Sequence, residues 1–507
     1  ISRQLWWGQR IPAWYVKEDD QSPIVAKTEE EALDLARKQT GNANLKSADL
    51  RQEADVVDTW FSSWLWPISV FDGFENQEEL KYYYPTNVLV TGWDIMFFWV
   101  ARMIMAGYEW SPSLLGEKLA QEKGIQPFKE VYFTGMVRDN KKRKMSKSLG
   151  NSPDALALID NYGADGVRFG MLSSTVAGND IVFDAPFDPN TGQVLNQSKL
   201  CEQGRNFCNK MWNALRLIQG WESNHSDQST APEPIAVTAH LWMTDRIKVL
   251  TADLDRYFKE YRLSDAVMSL YKVIWDDFCS WYLEMIKPVS DGKLSEETIQ
   301  NTKDHFSSLM TLLHPFMPFV TEEIWHHLQV RKPGEDCVIS SFPQVEPITS
   351  QLINQVEVCK ELVSKIREIR SSNGVGMKVP LLLVGEPGGE LSYILEDKGL
   401  QDLVVKMANL EGIDWTKAEP DNVVSFLIGT NKLHLILEKE IDMEEERDRI
   451  EKEIAYYQGF LKGVNSKLNN EKFVNNAPEN VVALERKKLE DGNSKLKSLQ
   501  EALQQLR

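Results

Sequence analysis

No apolar run in this sequence approaches the ~20 residues a helix needs to cross a bilayer, and no basic stretch followed by a hydrophobic one opens it. Neither a membrane span nor a secretory leader is read from the chain, and a cytoplasmic location is the default expectation. Cysteine is scarce. Five residues, an odd number with no CxxC spacing, furnish neither a disulfide framework nor a zinc knuckle. Cys201 and Cys208, seven apart on an expected helix, read as buried thiols rather than metal ligands. Positive charge is in deficit as well: a formal charge of −18 argues against indiscriminate binding to nucleic acid, which needs clustered Lys and Arg, and leaves only local clusters to do it. An initiator Met is also missing. The opening "ISRQLWWGQRIPAWYV", with Trp6, Trp7 and Trp14 close together, reads as buried structure, so a piece of a longer chain is expected.

What is present is ample. At 507 residues the chain is too long for one hydrophobic core, and about three or four domains are expected. Sixteen tryptophans need cores or ligands to cover them. Residues 28–38, TEEEALDLARK, carry Thr28 and Glu31 in capping-box spacing, which predicts a short helix. "NVLVTGWD" reads as a buried strand and "IMFFWVARMIMAG" as a buried helix ended by Gly107, together half of an α/β unit. "EVYFTGMVRD" reads as a further strand, and "SPDALALIDNYGADGVRFGML" as helices capped near Ser152 and broken at Gly163.

From Asn196 to Val330 long amphipathic patterns with short loops predict a helical bundle. Residues 346–440 mix a basic helix, "VCKELVSKIREIRSS", with the short apolar strands "VPLLLVG" and "KLHLILE", the makings of a small α/β domain. At the end Ile450, Ile454, Tyr457, Leu461, Val464 and Leu468 take coiled-coil spacing, as do Leu489, Leu496 and Leu503 with Leu499 and Leu506. Between them "NNEKFVNNAPEN", with Pro478, breaks the helix, so an antiparallel hairpin is expected.

One loop stands out chemically. "VRDNKKRKMSKSLGN", residues 137–151, concentrates six basic side chains within ten positions, between an expected strand and an expected helix. A lysine run alone is usually a solvated loop. Here the order KMSKS followed by Leu149, Gly150 and Asn151 matches the signature loop of class I aminoacyl-tRNA synthetases. Attack of an amino-acid carboxylate on the α-phosphate of ATP needs the charge on the phosphates neutralised, not a protein nucleophile. Lysine ammonium groups on a Gly-terminated loop suit that task.

The flanks extend the match: "ISRQLWWGQRIPAWY", "DVVDTWFSSWLWP", "YYPTNVLVTGWDIMFFWVARMIM", "RNFCNKMWNALR" and "NNEKFVNNAPENVV" resemble the valyl-tRNA synthetase family, in its order and over essentially the whole chain. Two departures are visible. The family's first signature, His-Ile-Gly-His, and its editing insertion do not occur in this sequence, and Gln9 stands where the family commonly has His. No role is assigned to Gln9.

The resemblance implies a multidomain α/β plus all-α architecture: part of a Rossmann-like class I catalytic domain over 1–190, a helical anticodon-binding domain over 191–345, a small α/β domain over 346–440 and a C-terminal antiparallel coiled coil, the tRNA-binding arm, over 441–507. It implies an ATP-dependent ligase that activates valine and transfers it to tRNA(Val), with ATP and Mg2+ as substrate, no tightly bound cofactor or structural metal, and a monomeric state. Lys144 and Lys147 would be catalytic, with Met145, Ser146 and Ser148 completing the ATP contact. Trp60, Asp94 and Ile95 would form the valine site; from the residues alone Trp60 and Ile95 read as sheet core. A pocket of this kind rejects an isosteric hydroxyl weakly, which is the reason the family carries an editing domain.

Trp212, Asn213 and Arg216 would face tRNA, although Trp212 also fits a core. Lys365, Arg367 and Arg370 form a basic stretch suited to backbone phosphates or to simple solvation. "HPFMPFVTEEIWHHL", with His314, His326 and His327, fits helix packing rather than metal binding, and no metal ligand is named. With the first signature absent, the piece by itself is not expected to activate valine. Two rival readings are a non-catalytic RNA-binding or scaffold protein of synthetase architecture and isoleucyl specificity.

Overall fold

The computed structural model describes residues 2–505 apart from 4–5, 18, 74, 177, 224–230, 289–292, 349, 377, 387–390, 417–422, 438–442 and 471–478. It divides into two compact units, Ile1–Ser152 with Ser174–Phe183, and Pro153–Ser173 with Asp184–Arg507. No described helix is long and apolar enough to cross a membrane.

Besides a small antiparallel sheet of Ser2–Arg3, Gln9–Arg10 and Val56–Val57, the first unit has strands β1 (Ala13–Val16), β2 (Asp19–Val25) and β3 (Leu50–Gln52), antiparallel in the order β2-β1-β3. Helix α1 (Glu29–Thr40) covers them through Ala32 and Ala36, which join Ile24, Leu45 and Leu50 in a small core. Thr28 caps α1 by accepting from the Glu31 N–H, while the Glu31 carboxylate reaches one residue further back than a capping box requires, to the N–H of Lys27. Trp6 and Trp7 correct the expectation of a buried opening: they are 97% and 87% exposed, on a bend that no layer of the unit covers.

Strands β4 (Thr86–Gly92) and β5 (Phe128–Thr134) pair in parallel, with Leu89 opposite Val131 and Gly92 opposite Thr134. The expected buried strand is buried on one face only. Leu89 and Thr91 point inward, whereas Val88 and Val90 are exposed, the alternation that a half-covered strand must show. After β4 the chain tightens into a single turn, Trp93–Ile95, widens into a π-helical turn, Met96–Val100, and settles into α2 (Ala101–Leu115).

Helix α2 also departs from expectation, because Gly107 lies inside it and it ends instead at Gly116. A Cβ at 107 would lie 2.7 Å from Pro127 Cδ and 3.1 Å from the Tyr84 hydroxyl, so glycine is there for close approach, not termination. Val100, Met103, Gly107, Ser111 and Leu115 make one buried stripe, while Phe97, Met105 and Tyr108 are exposed. Strands β6 (Val137–Arg138) and β7 (Ile181–Val182) pair in parallel beside the lysine-rich loop.

The second unit opens with α3 (Ala155–Tyr162), capped by Asp154 rather than Ser152, and α4 (Ala164–Ser174) beyond Gly163. Then come α5 (Lys199–Ser223), α6 (Pro234–Lys259), α7 (Leu263–Lys272, running on as a π-helix to Tyr282), α8 (Glu296–Leu313), α9 (Pro318–Leu328) and α10 (Leu352–Ser372). A four-stranded sheet follows, β8 (Leu381–Gly385), β9 (Leu410–Asp414), β10 (Val423–Ile428) and β11 (Asn431–Ile436), in the order β9-β8-β11-β10, with α11 (Lys398–Ala408) packed on it. One hydrophobic core runs without a break from Phe207 and Trp242 through Val363 to Leu383 and Leu433, so bundle and sheet fold around the same interior across position 345.

Helices α12 (Met443–Leu468) and α13 (Glu479–Gln505) pack against each other in opposite senses: Leu461 lies against Gly492, and Lys467 pairs with Glu485 at 3.7 Å. The positions turned inward on α12 are the expected ones, with Ile450, Leu461 and Val464 buried and Ile454, Tyr457 and Leu468 half-buried. The expected break around Pro478, and Leu506, lie outside the described residues.

Candidate active-site loop and nucleic-acid surface

The lysine-rich loop is built around two buried polar side chains, Asp139 (0% exposed) and Asn151 (1%). β6 delivers Asp139 at its end. One carboxylate oxygen accepts the N–H groups of Lys141 at 3.0 Å and Arg143 at 2.9 Å, while the other accepts from Arg143 Nε at 2.9 Å and Asn151 Nδ2 at 3.0 Å. Asn151 closes the far end: its Oδ1 accepts the Ser146 N–H at 2.9 Å and its Nδ2 also donates to the Lys144 carbonyl at 3.1 Å. Burial pushes the Asp139 carboxyl up, but the donors from Asn151 and Arg143 overcome it and hold the group down at about 2. The loop backbone is therefore fixed before any ligand arrives.

On this frame Lys144 bridges back to Arg138, and the Met145 N–H bonds to the Val137 carbonyl at 3.0 Å. Ser146 Oγ lies 3.2 Å from Ser148 Oγ and accepts the Leu149 N–H at 3.3 Å. Lys147 opens the short turn Lys147–Leu149, and its side chain lies outside the described residues. Arg138 pairs with Asp180, whose carboxylate also accepts the Met136 N–H at 2.9 Å, so the loop's entry is tied to the segment leading into β7.

The structure brings Lys144 and Asp94 together. Lys144 Nζ is 3.5 Å from Asp94 Oδ2, with the two side chains 57% and 37% exposed. Asp94 stands in the turn that follows the carboxyl end of β4, the end where open parallel sheets bind ligands. Gly92 makes room for it: a Cβ there would meet Asp94 Oδ1 at 2.6 Å. Ile95 is half-buried, and Trp60, also half-buried, packs on Phe98 with ring centroids 5.9 Å apart. Gln9, to which no role was assigned, donates to the Ser62 hydroxyl at 2.6 Å, two residues beyond Trp60.

Sequence reasoning named the lysines and, as part of the signature, Asn151, but not Asp139 or the bonds that join the two. The available signal was an acid at a strand's end and an amide where the chain leaves the loop for a helix.

On α5, Met211, Ala214 and Leu215 face the core while Trp212 (38% exposed), Asn213 and Arg216 face outward. Trp212 meets the His327 ring of α9 edge-on at 5.6 Å, and Gln219 Nε2 donates to the His327 carbonyl at 2.9 Å, so α5 and the end of α9 share one surface. The basic stretch of α10 divides differently. Lys365 pairs with Glu368 at 2.9 Å, and Arg367 turns its guanidinium inward to the Met407 carbonyl at 2.7 Å. Arg370 is fully buried and donates to the carbonyls of Gly376 at 3.3 Å, Val379 at 2.6 Å and Asn409 at 2.5 Å. Its expected reach to a phosphate is corrected: a guanidinium enclosed by three backbone carbonyls has no path to an outside anion.

Three family descriptions match the chain: tRNA synthetases class I (I, L, M and V) over residues 1–184, the anticodon-binding domain of tRNA ligase over 240–384, and the valyl tRNA synthetase tRNA binding arm over 442–507. The chain belongs to the class I tRNA synthetase family. Within that family its similarity is to valine–tRNA ligases. It is 47% identical to that of Bacteroides fragilis over 100% of this chain and 54% of the relative. The ligases of Parabacteroides distasonis and Fusobacterium nucleatum are 46% and 37% identical, each over 99% of this chain and 54% of the relative. The chain thus spans about half the length of the curated relatives it matches. Among solved structures, a LeuRS–tRNA–LeuAMS ternary complex from Agrobacterium radiobacter aligns with a TM-score of 0.49 at 16% identity, over 76% of this chain and 44% of that one.

Proposed function

We propose that this chain is the portion of a valine–tRNA ligase that carries the phosphate-holding loop, the anticodon-reading bundle and the tRNA-binding arm. Valine's carboxylate attacks the α-phosphate of MgATP and pyrophosphate leaves; the terminal ribose hydroxyl of tRNA(Val) then attacks the adenylate. In that sequence Lys144 and Lys147 neutralise phosphate oxygens, assisted by the Ser146 and Ser148 hydroxyls, with Met145 completing the ATP contact. Asp94 receives the ammonium group of valine, and Trp60 and Ile95 line the pocket for its side chain. Trp212, Asn213 and Arg216 face the tRNA. The α12–α13 hairpin works as an antiparallel coiled coil against the tRNA's outer part.

The observation that carries the reading is the Lys144–Asp94 pair on a loop frame held by buried polar groups. An ion pair this exposed contributes only about 0–1 kcal/mol. A substrate ammonium can therefore replace Lys144 at Asp94 at little cost, which releases Lys144 toward triphosphate oxygens. The test is valine-dependent ATP–pyrophosphate exchange by the complete polypeptide carrying K144Q and K147Q, singly and together. Each substitution should lower exchange about 10²- to 10³-fold while leaving tRNA(Val) binding intact. Exchange at the unsubstituted rate in the double variant would remove the loop from the chemistry.

A further inference from the structure

The carboxylate of Glu322, on α9, is the centre of a side-chain cluster that aminoacylation does not use. Its Oε1 accepts the Cys337 N–H at 2.7 Å and its Oε2 the Val338 N–H at 3.1 Å, which fix its orientation. One turn along α9, His326 Nε2 lies 3.1 Å from Glu322 Oε1 and 3.1 Å from Asp336 Oδ1. From just beyond α8, His314 Nε2 lies 3.9 Å from Glu322 Oε2. Cys337 is buried, at 2% exposure. The donor atoms of His314, Glu322 and Cys337 all fall within 4.8 Å of one another, as do those of Glu322, His326 and Asp336.

Hydrogen-bond accounting decides which way His314 presents itself. Its Nδ1 is 2.8 Å from Thr321 Oγ1, and the Thr321 hydroxyl donates its one proton to the Met317 carbonyl at 2.8 Å. Thr321 must therefore accept, and Nδ1 must carry the donated hydrogen. The ring's Nε2 then faces the Glu322 carboxylate at 3.9 Å, too far for a direct hydrogen bond and wide enough for one ion to be held by both. At His326 one ring nitrogen faces two carboxylate oxygens, each at 3.1 Å.

The spacing and the chemistry of the donors agree. Ligand atoms held at ~2.0–2.3 Å around a tetrahedral zinc lie roughly 3.3–3.7 Å apart, so the 3.9 Å between His314 Nε2 and Glu322 Oε2 has only a few tenths of an ångström to close on an ion. Imidazole, thiolate and carboxylate form the borderline-soft set that zinc takes. Each inner group has an outer support, Thr321 behind His314 and backbone N–H groups behind Glu322, as metal ligands characteristically do. The neighbouring cation, Arg331, spends its hydrogen bonds on the Trp325 carbonyl at 3.0 Å and the Ser307 hydroxyl at 3.2 Å while its charge is felt at Cys337 and Glu322. The ligand-bearing loop is pinned by Trp325 Nε1 on the Glu335 carbonyl at 2.8 Å.

We infer that His314, Glu322 and Cys337 form a site for one divalent cation of zinc's kind, with His326 and Asp336 at its solvent side. Bound there, the ion ties the end of α8 and the 336–337 turn to α9, the helix whose His327 supports the Trp212 face. The experiment uses the full chain stripped with a chelator, then titrated with Co2+ as a spectroscopic probe and with Zn2+ in competition with a chromophoric chelator. Expected are one equivalent of Co2+ with a thiolate-to-cobalt charge-transfer band, and its displacement by Zn2+. H314Q and C337S should abolish the band, T321V should weaken Zn2+ about 10- to 100-fold, and C208S should change nothing. Because the band is read on the unsubstituted protein, a misfolded variant does not decide the outcome. Absence of a thiolate band there, or Zn2+ affinity unchanged in both H314Q and C337S, overturns the site.

Discussion

Asp139 and Asn151 determine whether the lysine loop has a shape at all. Removing the Asn151 amide strips one donor from a buried carboxylate and leaves the Ser146 N–H and the Lys144 carbonyl unpaired. In the complete polypeptide N151A should therefore cost about 1–3 kcal/mol of stability and lower valine-dependent exchange although Lys144 is intact; thermal melting and exchange on one preparation read both. The Asp139 carboxyl sits at about 2 in the folded state, below the ~3.9 of an unfolded chain. A depressed carboxyl gives stability that is complete above pH ~4 and lost as pH falls toward ~2. Urea unfolding between pH 5 and pH 3 should show that loss, and D139N should flatten it. None of this was legible in the sequence, where Asp139 and Asn151 are twelve positions apart and their pairing depends on how the loop closes. Arg370 teaches the same lesson from the other side. Its charge suggested an outward face, yet the carbonyls of Gly376, Val379 and Asn409 enclose it. R370M should lower the melting temperature, since three backbone carbonyls lose the buried guanidinium that joins them.

Among the elements, periodicity was a good guide to type and a poor one to coverage. The strand at Thr86–Gly92 and the helical run after Asp94 were both readable, but apolar composition alone does not say which neighbour lies over which face. Val88, Val90, Phe97 and Met105 are exposed although their segment reads as interior. Gly107 read as a terminator because glycine commonly ends helices, whereas here it lets α2 approach Pro127 and Tyr84. G107A should keep the helix and lose about 1–3 kcal/mol through overpacking, seen as a lower melting temperature without loss of helical circular dichroism; an unchanged melting temperature would mean that the contact relaxes freely. The heptad pattern fared better. On α12 the spacing placed Ile450, Leu461 and Val464 inward, whereas on α13 the expected Leu489, Leu496, Leu499 and Leu503 are half-buried and Val482, Glu485 and Gly492 are the buried positions among the described residues.

For the chain as a whole, a net charge of −18 limits the ways in which the proposed tRNA binding could work. Bulk attraction to phosphate is weak for such a chain, so affinity has to come from particular contacts, and these respond differently to salt. In the proposed role Trp212 would offer a stacking face and no charge. W212A should weaken tRNA(Val) about 10- to 100-fold, within the ~1–3 kcal/mol that base stacking supplies, and leave the salt slope unchanged. Arg216 sits one turn away on the same exposed face. If it meets a phosphate, R216Q should lower affinity for different tRNAs alike and reduce the salt slope by ~1. Lys365, already paired with Glu368, should matter less than either. The family resemblance pointed to this face, but the sequence left Trp212 divided between core and ligand; the burial of Met211 and Leu215 beside it is what turns it outward. A binding titration over a salt series therefore separates the two roles of one helix face. If W212A changes the slope rather than the intercept, Trp212 is only supporting charged neighbours, and the stacking role passes to another aromatic.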